Sequence, residues 1–363
     1  TTDLSHADHD DYYNGFANRV LWPVLHYRLD LTEFTRRELT GYLRVNRHFA
    51  SELTKVIHTD DVIWVHDYHL IPIASELRRQ GFANRIGFFL HVPFPVPEIT
   101  TVLPNHESLF PLLLQYDLVG FQTEKDVANF SRYMTSEGLA EGIFAASENQ
   151  MVIRSGERCT RIGSFPVGID VDEFQHSADR AMQSQSLRET ASSLEGRTLI
   201  IGVDRLDYSK GLVQRLEAFE RFCHVYPDWL TKVTYLQIAP LSRTEIPEYA
   251  QLEDAVGTVA GRINGKYGEA GWVPVRYLNR AYSRAMLAGL YRLARVALVT
   301  PLRDGMNLVA KEYIAAQNEQ DPGVLILSRF AGSAIECNQA LLVNPYDSEE
   351  VAAAIHQALQ MPL

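Results

Sequence analysis

The feature that most constrains the fold of this chain is a repeated order of short apolar runs, each followed by a loop and then by an amphipathic stretch. The runs that we predict to be strands are Val62–His66, Ile86–His91, Leu118–Phe121, Leu199–Val203, Thr234–Ile238, Val296–Thr300, Val324–Leu327 and Leu341–Val343. Continuous runs of valine, isoleucine and leucine are typical of strands buried on both faces of a parallel sheet. Helices must then cover both faces, so the sequence predicts an α/β fold.

The helices that we predict between these strands are Ile71–Gln80, Glu124–Ser136, Leu212–His224, Ile246–Ile263, Ala285–Arg292, Leu308–Gln317 and Glu349–Leu359. A chain of 363 residues is long enough for two domains of ordinary size. Gly138–Gly163 is polar and irregular, and a charged, serine-rich stretch at Ala178–Arg197 precedes a fresh strand. We therefore predict two doubly wound, Rossmann-like domains, 1–180 and 197–363, which face each other across a deep cleft where ligands bind.

Charge and cysteine content narrow the classes of partner and compartment. The chain has 45 acidic and 34 basic residues, whereas a nucleic-acid-binding face is normally basic, so we expect no nucleic-acid partner. A few clustered cations could still hold a small anionic substrate. No apolar run reaches the roughly 18 residues of a membrane span, and Cys159, Cys223 and Cys337 form no C-x-x-C pair. These observations predict a cytoplasmic protein without a membrane partner, a zinc site or a disulfide framework.

Two predicted strand-to-helix loops combine charged residues with a glycine. The first presents Arg205 and Lys210 before Gly211, and a guanidinium beside an ammonium is a natural anion site. The alternative is a surface loop whose cations pair with its own aspartates. The second loop, Thr300–Asn307, precedes a helix whose first N–H groups could hold a diphosphate.

Carboxylates around the second loop suit sugar hydroxyls. Asp304 stands beside Gly305 at a strand end, where we expect it to accept a sugar hydroxyl rather than to cap a helix. Glu312 falls in the first turns of the next helix and could accept two bonds from a ribose diol. Alternatively, Glu312 merely complements the positive helix N-terminus.

Histidines and an aspartate follow two strands of the first predicted domain. His66, Asp67 and His69 suggest a metal site, but neighbouring residues of an extended segment point to opposite faces, so their convergence is poor. We predict no metal here and interpret Asp67 and His91 as hydrogen-bonding groups for a polyol. A buried histidine with satisfied hydrogen bonds is the alternative.

Several other patterns carry little weight. Asp170-Val171-Asp172 matches a D-x-D element but is interpreted as a crossover into the linker, and Gly261–Gly268 as a loop. The chain has neither a G-x-G-x-x-G after its first strand, nor a G-x-x-x-x-G-K-[ST], nor a G-x-S-x-G. A dinucleotide dehydrogenase, a P-loop nucleotidase and a serine hydrolase therefore have no support.

Long polar blocks of this sequence together resemble the trehalose-6-phosphate synthase family of retaining GT-B glycosyltransferases. The matching blocks are Tyr12–Asn14, Val20–Pro23, Trp64–Leu70, Gly87–Glu98, Leu118–Glu124, Arg205–Gly211, Ile238–Arg243, Gly261–Gly268, Thr300–Glu312 and Leu342–Asp347. The family begins with a strand and a glycine-rich loop that do not precede Tyr12, so domain 1–180 lacks them in the sequence given. They are either omitted or deleted, and the absence of an initiator Met favours omission.

The resemblance implies glucosyl transfer from UDP-glucose to glucose 6-phosphate with retention and release of UDP, without a cofactor or a metal. The implied donor-binding residues are Arg205, Lys210, Tyr282, Leu308, Val309, Ala310, Lys311 and Glu312. The implied acceptor-binding residues are Tyr13, Trp22, Asp67 and Arg243, with Arg243 on the phosphate. The implied catalytic residues are Asp67, His91, Arg205, Lys210 and Asp304.

Several alternatives stay open from the sequence. In the family, the departing phosphate oxygen is thought to take the acceptor proton on the same face; a paired-carboxylate scheme with Asp67 as base is the rival mechanism. The acceptor could be another phosphorylated compound, or the chain could be a catalytically silent regulator that binds nucleotide-sugar or glucose 6-phosphate. The choice of UDP over GDP or ADP is also open, and a homo-oligomer is possible.

Overall fold

The structure is a computed structural model that describes residues 2–147, 150–243 and 245–362. The chain forms two compact units, Thr1–Pro166 and Val167–Leu363, and each is built around one six-stranded sheet. None of the helices in the described ranges is long and apolar enough to cross a membrane.

The first unit has a mixed sheet in the order β1-β2-β3-β6-β5-β4. Its strands are β1 (Val62–His66), β2 (Arg85–Phe89), β3 (Leu118–Phe121), β4 (Gly142–Ser147), β5 (Gln150–Ser155) and β6 (Arg158–Ser164). Its helices are α1 (His6–His9), α2 (Trp22–Leu25), α3 (Arg36–Leu53), α4 (Ile73–Arg79), α5 (Pro97–Thr100), α6 (His106–Leu109) and α7 (Glu124–Ser136), with a π-helix at Asp10–Leu21 and 3₁₀ turns at Leu29–Leu31, Tyr68–Leu70 and Phe110–Gln115. Strands β1, β2, β3 and β6 are parallel, and β4 and β5 add antiparallel pairs.

Two parts of this unit differ from the prediction. The segment interpreted as irregular forms β4, β5 and β6, because strands that face solvent on one side do not need a continuous apolar run. Helix α3 was not predicted, because it buries Glu38 and Asn46 beside Tyr42 and Val45 and so lacks a purely apolar stripe.

The second unit has an entirely parallel sheet in the order β12-β11-β10-β7-β8-β9. Its strands are β7 (Thr198–Val203), β8 (Val233–Ile238), β9 (Val275–Leu278), β10 (Val296–Val299), β11 (Val324–Ser328) and β12 (Leu341–Val343). Its helices are α8 (Val171–Met182), α9 (Gln185–Ser192), α10 (Leu212–Val225), α11 (Pro247–Tyr267), α12 (Arg284–Leu293), α13 (Leu308–Ala316) and α14 (Ser348–Gln360), with 3₁₀ turns at Tyr208–Lys210, Pro227–Trp229 and Gly332–Ala334. This is a doubly wound sheet whose winding direction reverses between β7 and β10.

Successive residues of β7 contribute to two separate cores. Ile200 packs in a buried cluster with residues of α10, α11 and α14, whereas Leu199 and Ile201 pack in a second cluster with residues of α8, α9, α12 and α13. Because side chains alternate across a strand, covering both faces requires a continuous apolar run. This requirement explains why the sequence pattern located five of the six strands of this unit. Strand β9 was not predicted, because only Val275 of its four residues is fully buried.

Helices α8 and α9 occupy most of the stretch predicted to be a linker. Phe174, Ala178 and Ala181 are the buried residues of α8, and Leu187 is the buried residue of α9. A stripe this narrow gives weak periodicity, although it packs on α12 within the second unit. Asp170 caps α8 by accepting a bond from the Glu173 N–H, 2.9 Å away, so the D-x-D pattern begins a helix.

The predicted glycine-rich loop is also helical. Residues 261–267 form the last turns of α11, and a Cβ placed on Gly261 or Gly265 would meet no atom within 4 Å. Glycine is tolerated at such open helix positions at a cost in propensity, so these glycines do not mark a turn.

Candidate active site

The carboxyl ends of β7 and β10 place two predicted loops side by side in the second unit. The two strands are neighbours, β8 flanks β7 and β11 flanks β10, so the loops after β7 and β10 diverge at the point where the winding reverses. In open parallel sheets this switch point is the usual ligand site. The candidate site therefore starts from residues 204–211 and 300–307.

The loop after β7 is shaped by one aspartate and one glycine. Asp207 Oδ1 accepts bonds from the Ser209 N–H at 3.0 Å and from its hydroxyl at 2.8 Å, which forms the turn. Gly211 has φ 65°, and a Cβ there would lie 2.7 Å from the Thr300 carbonyl oxygen. Only glycine fits this backbone, which brings Lys210 against the loop after β10.

Lys210 and Asp304 form a partly buried ion pair across these loops. Lys210 Nζ lies 2.5 Å from Asp304 Oδ2, which also accepts a bond from Asn307 Nδ2 at 3.0 Å. Burial opposes the charged form of Lys210, but the carboxylates of Asp304, Asp204 and Asp207 outweigh it, so the pKa of the ammonium lies above its ordinary value. Lys210 is therefore a fixed positive charge at neutral pH.

Helix α13 begins at Leu308, shortly after Asp304 in the chain. Asn307 has left-handed φ 70° and precedes the helix without a side-chain cap. The first N–H groups of a helix have no intrahelical partner and carry a partial positive charge. Glu312 is half-buried one turn into the helix. This burial raises the pKa of its carboxyl, although Arg284 opposes the shift.

The remaining predicted donor residues lie in different surroundings. Lys311 donates to the Val167 carbonyl oxygen and to Glu336 Oε1, each at 2.8 Å, so its ammonium is engaged within the unit. The Tyr282 hydroxyl accepts two bonds from Arg280, at 2.8 and 2.6 Å. Of the residues predicted to offer backbone groups, Leu308 and Val309 are half-buried and Ala310 is buried.

Arg205 and Arg243 converge on Asp207. Arg243 Nη1 lies 3.3 Å from Asp207 Oδ2 and donates to the Tyr249 hydroxyl at 2.5 Å. Arg205 Nε lies 3.7 Å from the same carboxylate oxygen, while 44% of its side chain is exposed. The structure thus brings a predicted donor residue and a predicted acceptor residue to one carboxylate.

In the first unit, Asp67 and His91 meet at the ends of β1 and β2. The His91 N–H donates to Asp67 Oδ1 at 3.3 Å, and Asp67 has left-handed φ 74°, which strains a non-glycine residue. His66 Nδ1 lies 2.9 Å from His91 Nε2. Burial lowers the pKa of both imidazoles, with the neighbouring His91 adding to the effect on His66. Both rings therefore favour the neutral form, which can donate and accept hydrogen bonds.

The aromatic acceptor candidates lie in the N-terminal helical segment of the same unit. Tyr13 is half-buried and stacks on His69, with ring centroids 5.5 Å apart. Trp22 is buried, and its ring lies 4.0 Å from that of His26 and 5.8 Å from that of Tyr68. Trp22 therefore packs against other aromatic rings and is not exposed at the surface.

One residue at the switch point, Arg215, was not predicted from the sequence. Arg215 is fully buried and donates to Thr300 Oγ1 at 2.9 Å, Asp204 Oδ2 at 2.8 Å and the Lys210 carbonyl oxygen at 3.1 Å. Arg215 therefore connects the loop after β7 with the loop after β10. The available signal was an arginine on the apolar face of α10, beside Leu212 and Leu216.

A metal-like cluster occurs elsewhere in the first unit. Ligand atoms of His106, Glu107 and Glu137 lie within 4.8 Å of one another. None of the predicted substrate residues belongs to this cluster, and His106 Nδ1 already bonds the Tyr133 hydroxyl at 2.9 Å.

Comparison with known proteins places the chain in a family. The model of glycosyltransferase family 20 matches residues 1–363. A trehalose-6-phosphate synthase from Sinorhizobium fredii is 53% identical over 362 residues, which cover 100% of this chain and 77% of the relative.

Solved structures agree with this result. An α,α-trehalose-phosphate synthase (UDP-forming) from Burkholderia xenovorans, in complex with glucose 6-phosphate, is 46% identical with a TM-score of 0.97, covering 99% of this chain and 80% of that one. A structure from E. coli, described as trehalose-6-phosphate bound with UDP-2-fluoro glucose, is 47% identical with a TM-score of 0.93, covering 99% and 78%. These likenesses confirm the predicted α/β fold of the GT-B class. The chain belongs to glycosyltransferase family 20, the family of the trehalose-6-phosphate synthases that it resembles.

Proposed function

We propose that this chain transfers glucose from UDP-glucose to glucose 6-phosphate with retention, and releases UDP and α,α-trehalose 6-phosphate. The observation that carries the proposal is the Lys210–Asp304 pair next to the N-terminus of α13, at the switch point of the second sheet. A partly buried cation beside a helix N-terminus suits a nucleotide diphosphate. Relatives with bound glucose 6-phosphate and UDP-2-fluoro glucose support the choice of substrates.

The donor is assigned to the second unit. Arg205 and Lys210 hold the diphosphate, and Glu312 accepts the ribose hydroxyls from its half-buried position. Tyr282 lies against the uracil, and Asp304 accepts a hydroxyl of the transferred glucose while Lys210 and Asn307 fix its carboxylate. The remaining donor contacts are assigned to Leu308, Val309, Ala310 and Lys311, through the backbone at the start of α13.

The cations of the donor site also serve the chemistry. UDP leaves as an anion, so groups whose attraction grows as negative charge develops lower the barrier. Arg205 and Lys210 supply this positive charge, and the scheme therefore needs no metal or cofactor. The bond from the anomeric carbon of glucose to the UDP oxygen breaks, and the acceptor hydroxyl oxygen bonds to that carbon on the same face. The departing phosphate oxygen takes the proton of this hydroxyl.

The proposed acceptor-binding residues are described unit by unit: Arg243 in the second unit, and Tyr13, Trp22 and Asp67 in the first. Arg243 pairs with the phosphate of glucose 6-phosphate, because its planar guanidinium matches phosphate oxygens. Asp67 offers its carboxylate to hydroxyls of the acceptor, whereas His91, whose backbone N–H donates to Asp67 Oδ1, is assigned to the transferred glucose. Tyr13 and Trp22 shape the pocket with their rings.

A cytoplasmic location is part of the proposal. The described cysteines Cys159, Cys223 and Cys337 are all free thiols, and Cys159 is exposed, which suits a reducing compartment. We also propose that the protein acts without a metal, has small-molecule partners only and forms a homo-oligomer.

The test is nucleotide release from UDP-glucose, with and without glucose 6-phosphate, in the presence of EDTA. We expect release that depends on the acceptor, survives EDTA and yields a phosphorylated non-reducing disaccharide by NMR. Loss of release in EDTA, restored by a divalent cation, would contradict metal independence. No release with UDP-, GDP- or ADP-glucose, alongside tight binding of either substrate, would favour a silent regulator instead.

A further inference from the structure

We propose that Asp207 is a positioning residue that orients the two guanidinium groups of Arg205 and Arg243 for the two substrates. The inference rests on the proposed function and extends it to a residue that touches no substrate itself. Asp207 is 0% exposed, so a substrate does not reach its carboxylate. Its role must act through the side chains that it holds.

The two oxygens of this carboxylate have separate partners. Oδ1 accepts the Ser209 N–H and hydroxyl, which fixes the turn that leads into Lys210. Oδ2 faces Arg243 Nη1 at 3.3 Å, the Tyr249 hydroxyl at 3.2 Å and Arg205 Nε at 3.7 Å. One oxygen therefore builds the loop, and the other faces both predicted anion-binding cations.

The Tyr249 hydroxyl bridges Asp207 and Arg243. Arg243 donates to the Tyr249 hydroxyl at 2.5 Å, and that hydroxyl donates to Asp207 Oδ2. The Arg243 guanidinium carbon also lies 5.7 Å from the centre of the Tyr249 ring. Tyr249 and Asp207 thus restrict Arg243 from two directions.

The backbone of Arg243 gives an independent reason for this restraint. Arg243 adopts left-handed φ 51°, a conformation that costs a non-glycine residue free energy. Such a conformation persists where surrounding contacts over-determine it, and these contacts are the bonds to Asp207 and Tyr249. The side chain is 7% exposed, so it is held in place before a ligand arrives.

The charges of the group also suit the proposed substrates. Two guanidinium groups share one carboxylate, so a net positive charge remains for phosphate groups. A neutral amide at position 207 cannot serve both sides: once its oxygen accepts from Ser209, its NH₂ group faces the Arg243 N–H donors. Asp207→Asn should therefore release both arginines.

The variants Asp207→Asn and Tyr249→Phe separate positioning from general stabilisation. We expect Asp207→Asn to raise the KM for UDP-glucose and for glucose 6-phosphate by roughly tenfold each, the effect of one lost charge-assisted hydrogen bond. Tyr249→Phe should raise the KM for glucose 6-phosphate more than the KM for UDP-glucose, because the Tyr249 hydroxyl bonds Arg243 directly. The matched control is Tyr133→Phe, which removes a buried phenol bonded to His106 in the other unit and should change neither KM.

The outcomes are distinguishable from failure of the proposed function. Unchanged KM values in Asp207→Asn, or equal changes for both substrates in Tyr249→Phe, would overturn the positioning role. If Asp207→Asn does not fold, as judged by circular dichroism, the Tyr249→Phe result decides. If the unmodified chain has no turnover, calorimetric titration with UDP and with glucose 6-phosphate applies the same criteria to Kd.

Discussion

At the scale of single residues, Arg205 combines exposure with a fixed anchor. Its side chain is 44% exposed, and its Nε lies 3.7 Å from the buried Asp207 carboxylate. A group placed in this way can reach a phosphate and still keep its orientation. Its contribution should therefore appear in the reaction rather than in folding.

We expect Arg205→Ala to lower kcat by roughly a hundredfold, the usual effect of removing one donor that stabilises developing negative charge. The Tm should change little, because the side chain is largely solvated. The measurement is steady-state UDP release together with a thermal melt. Arg329→Ala is the control, since Arg329 is an exposed arginine paired with Glu350. A near-normal kcat for Arg205→Ala would remove it from the diphosphate site.

Arg243→Ala separates the two substrates. We expect it to raise the KM for glucose 6-phosphate far more than the KM for UDP-glucose, because its guanidinium is assigned to the acceptor phosphate. Initial rates measured over a grid of both substrates give the two values. Equal effects on both would contradict the acceptor assignment.

The same scale shows how much of the site could be predicted. Lys210 and Asp304 were predicted as site residues from the sequence because each stands next to a glycine in a strand-to-helix loop, and the structure pairs them. Asp207 and Arg215 were missed as structural centres because their roles depend on which distant groups meet them. Thr300 and Tyr249 reach them only after the sheet and α11 are assembled.

At the scale of elements, strands with two covered faces were predictable, whereas several one-sided elements were not. Strand β7 needs apolar residues on both faces, which leaves a continuous signal. In contrast, β4 is mostly exposed and α8 buries three residues, so each has too little apolar content to be read. The turn into α10 depends on residue 211 having no side chain.

Gly211→Ala tests this connection. The residue has φ 65° and a Cβ would approach the Thr300 carbonyl oxygen to 2.7 Å, so we expect destabilisation by more than about 1 kcal/mol and a raised KM for UDP-glucose. The control is Gly257→Ala in α11, where a Cβ meets no atom within 4 Å. That change should stabilise by about 0.5–1 kcal/mol. Thermal melts give both shifts, and a stabilised Gly211→Ala would contradict the close approach.

At the scale of the whole molecule, the chain carries an overall negative charge but gathers cations where phosphates are expected. The net charge is −11, whereas Arg205, Lys210 and Arg243 all belong to the region around Asp207 and Asp304. Composition therefore predicts no polynucleotide partner and is compatible with an anionic substrate. The local field follows from the fold, because the second sheet alone brings these loops together.

The second unit should consequently fold and bind its nucleotide alone. Residues 167–363 contain both buried clusters of the parallel sheet and all of the proposed donor residues. We expect this fragment to melt cooperatively and to bind UDP in a calorimetric titration, but not to form product, because Tyr13, Trp22 and Asp67 are absent. A fragment without a cooperative melt would contradict an independent core.

A shorter fragment, 197–363, follows the domain bounds that the sequence predicted and serves as the comparison. It lacks α8 and α9, which cover Tyr291 and Ala288 of α12 in the cluster that also holds Leu199 and Ile201. Exposing this face removes apolar burial worth about 25 cal/mol per Å², so the shorter fragment should melt at lower temperature and associate. Equal melting of the two fragments would show that α8 and α9 add little to the unit. A lower Tm for 197–363 would instead assign both helices to the nucleotide-binding domain, since their narrow buried stripe supplies part of its core.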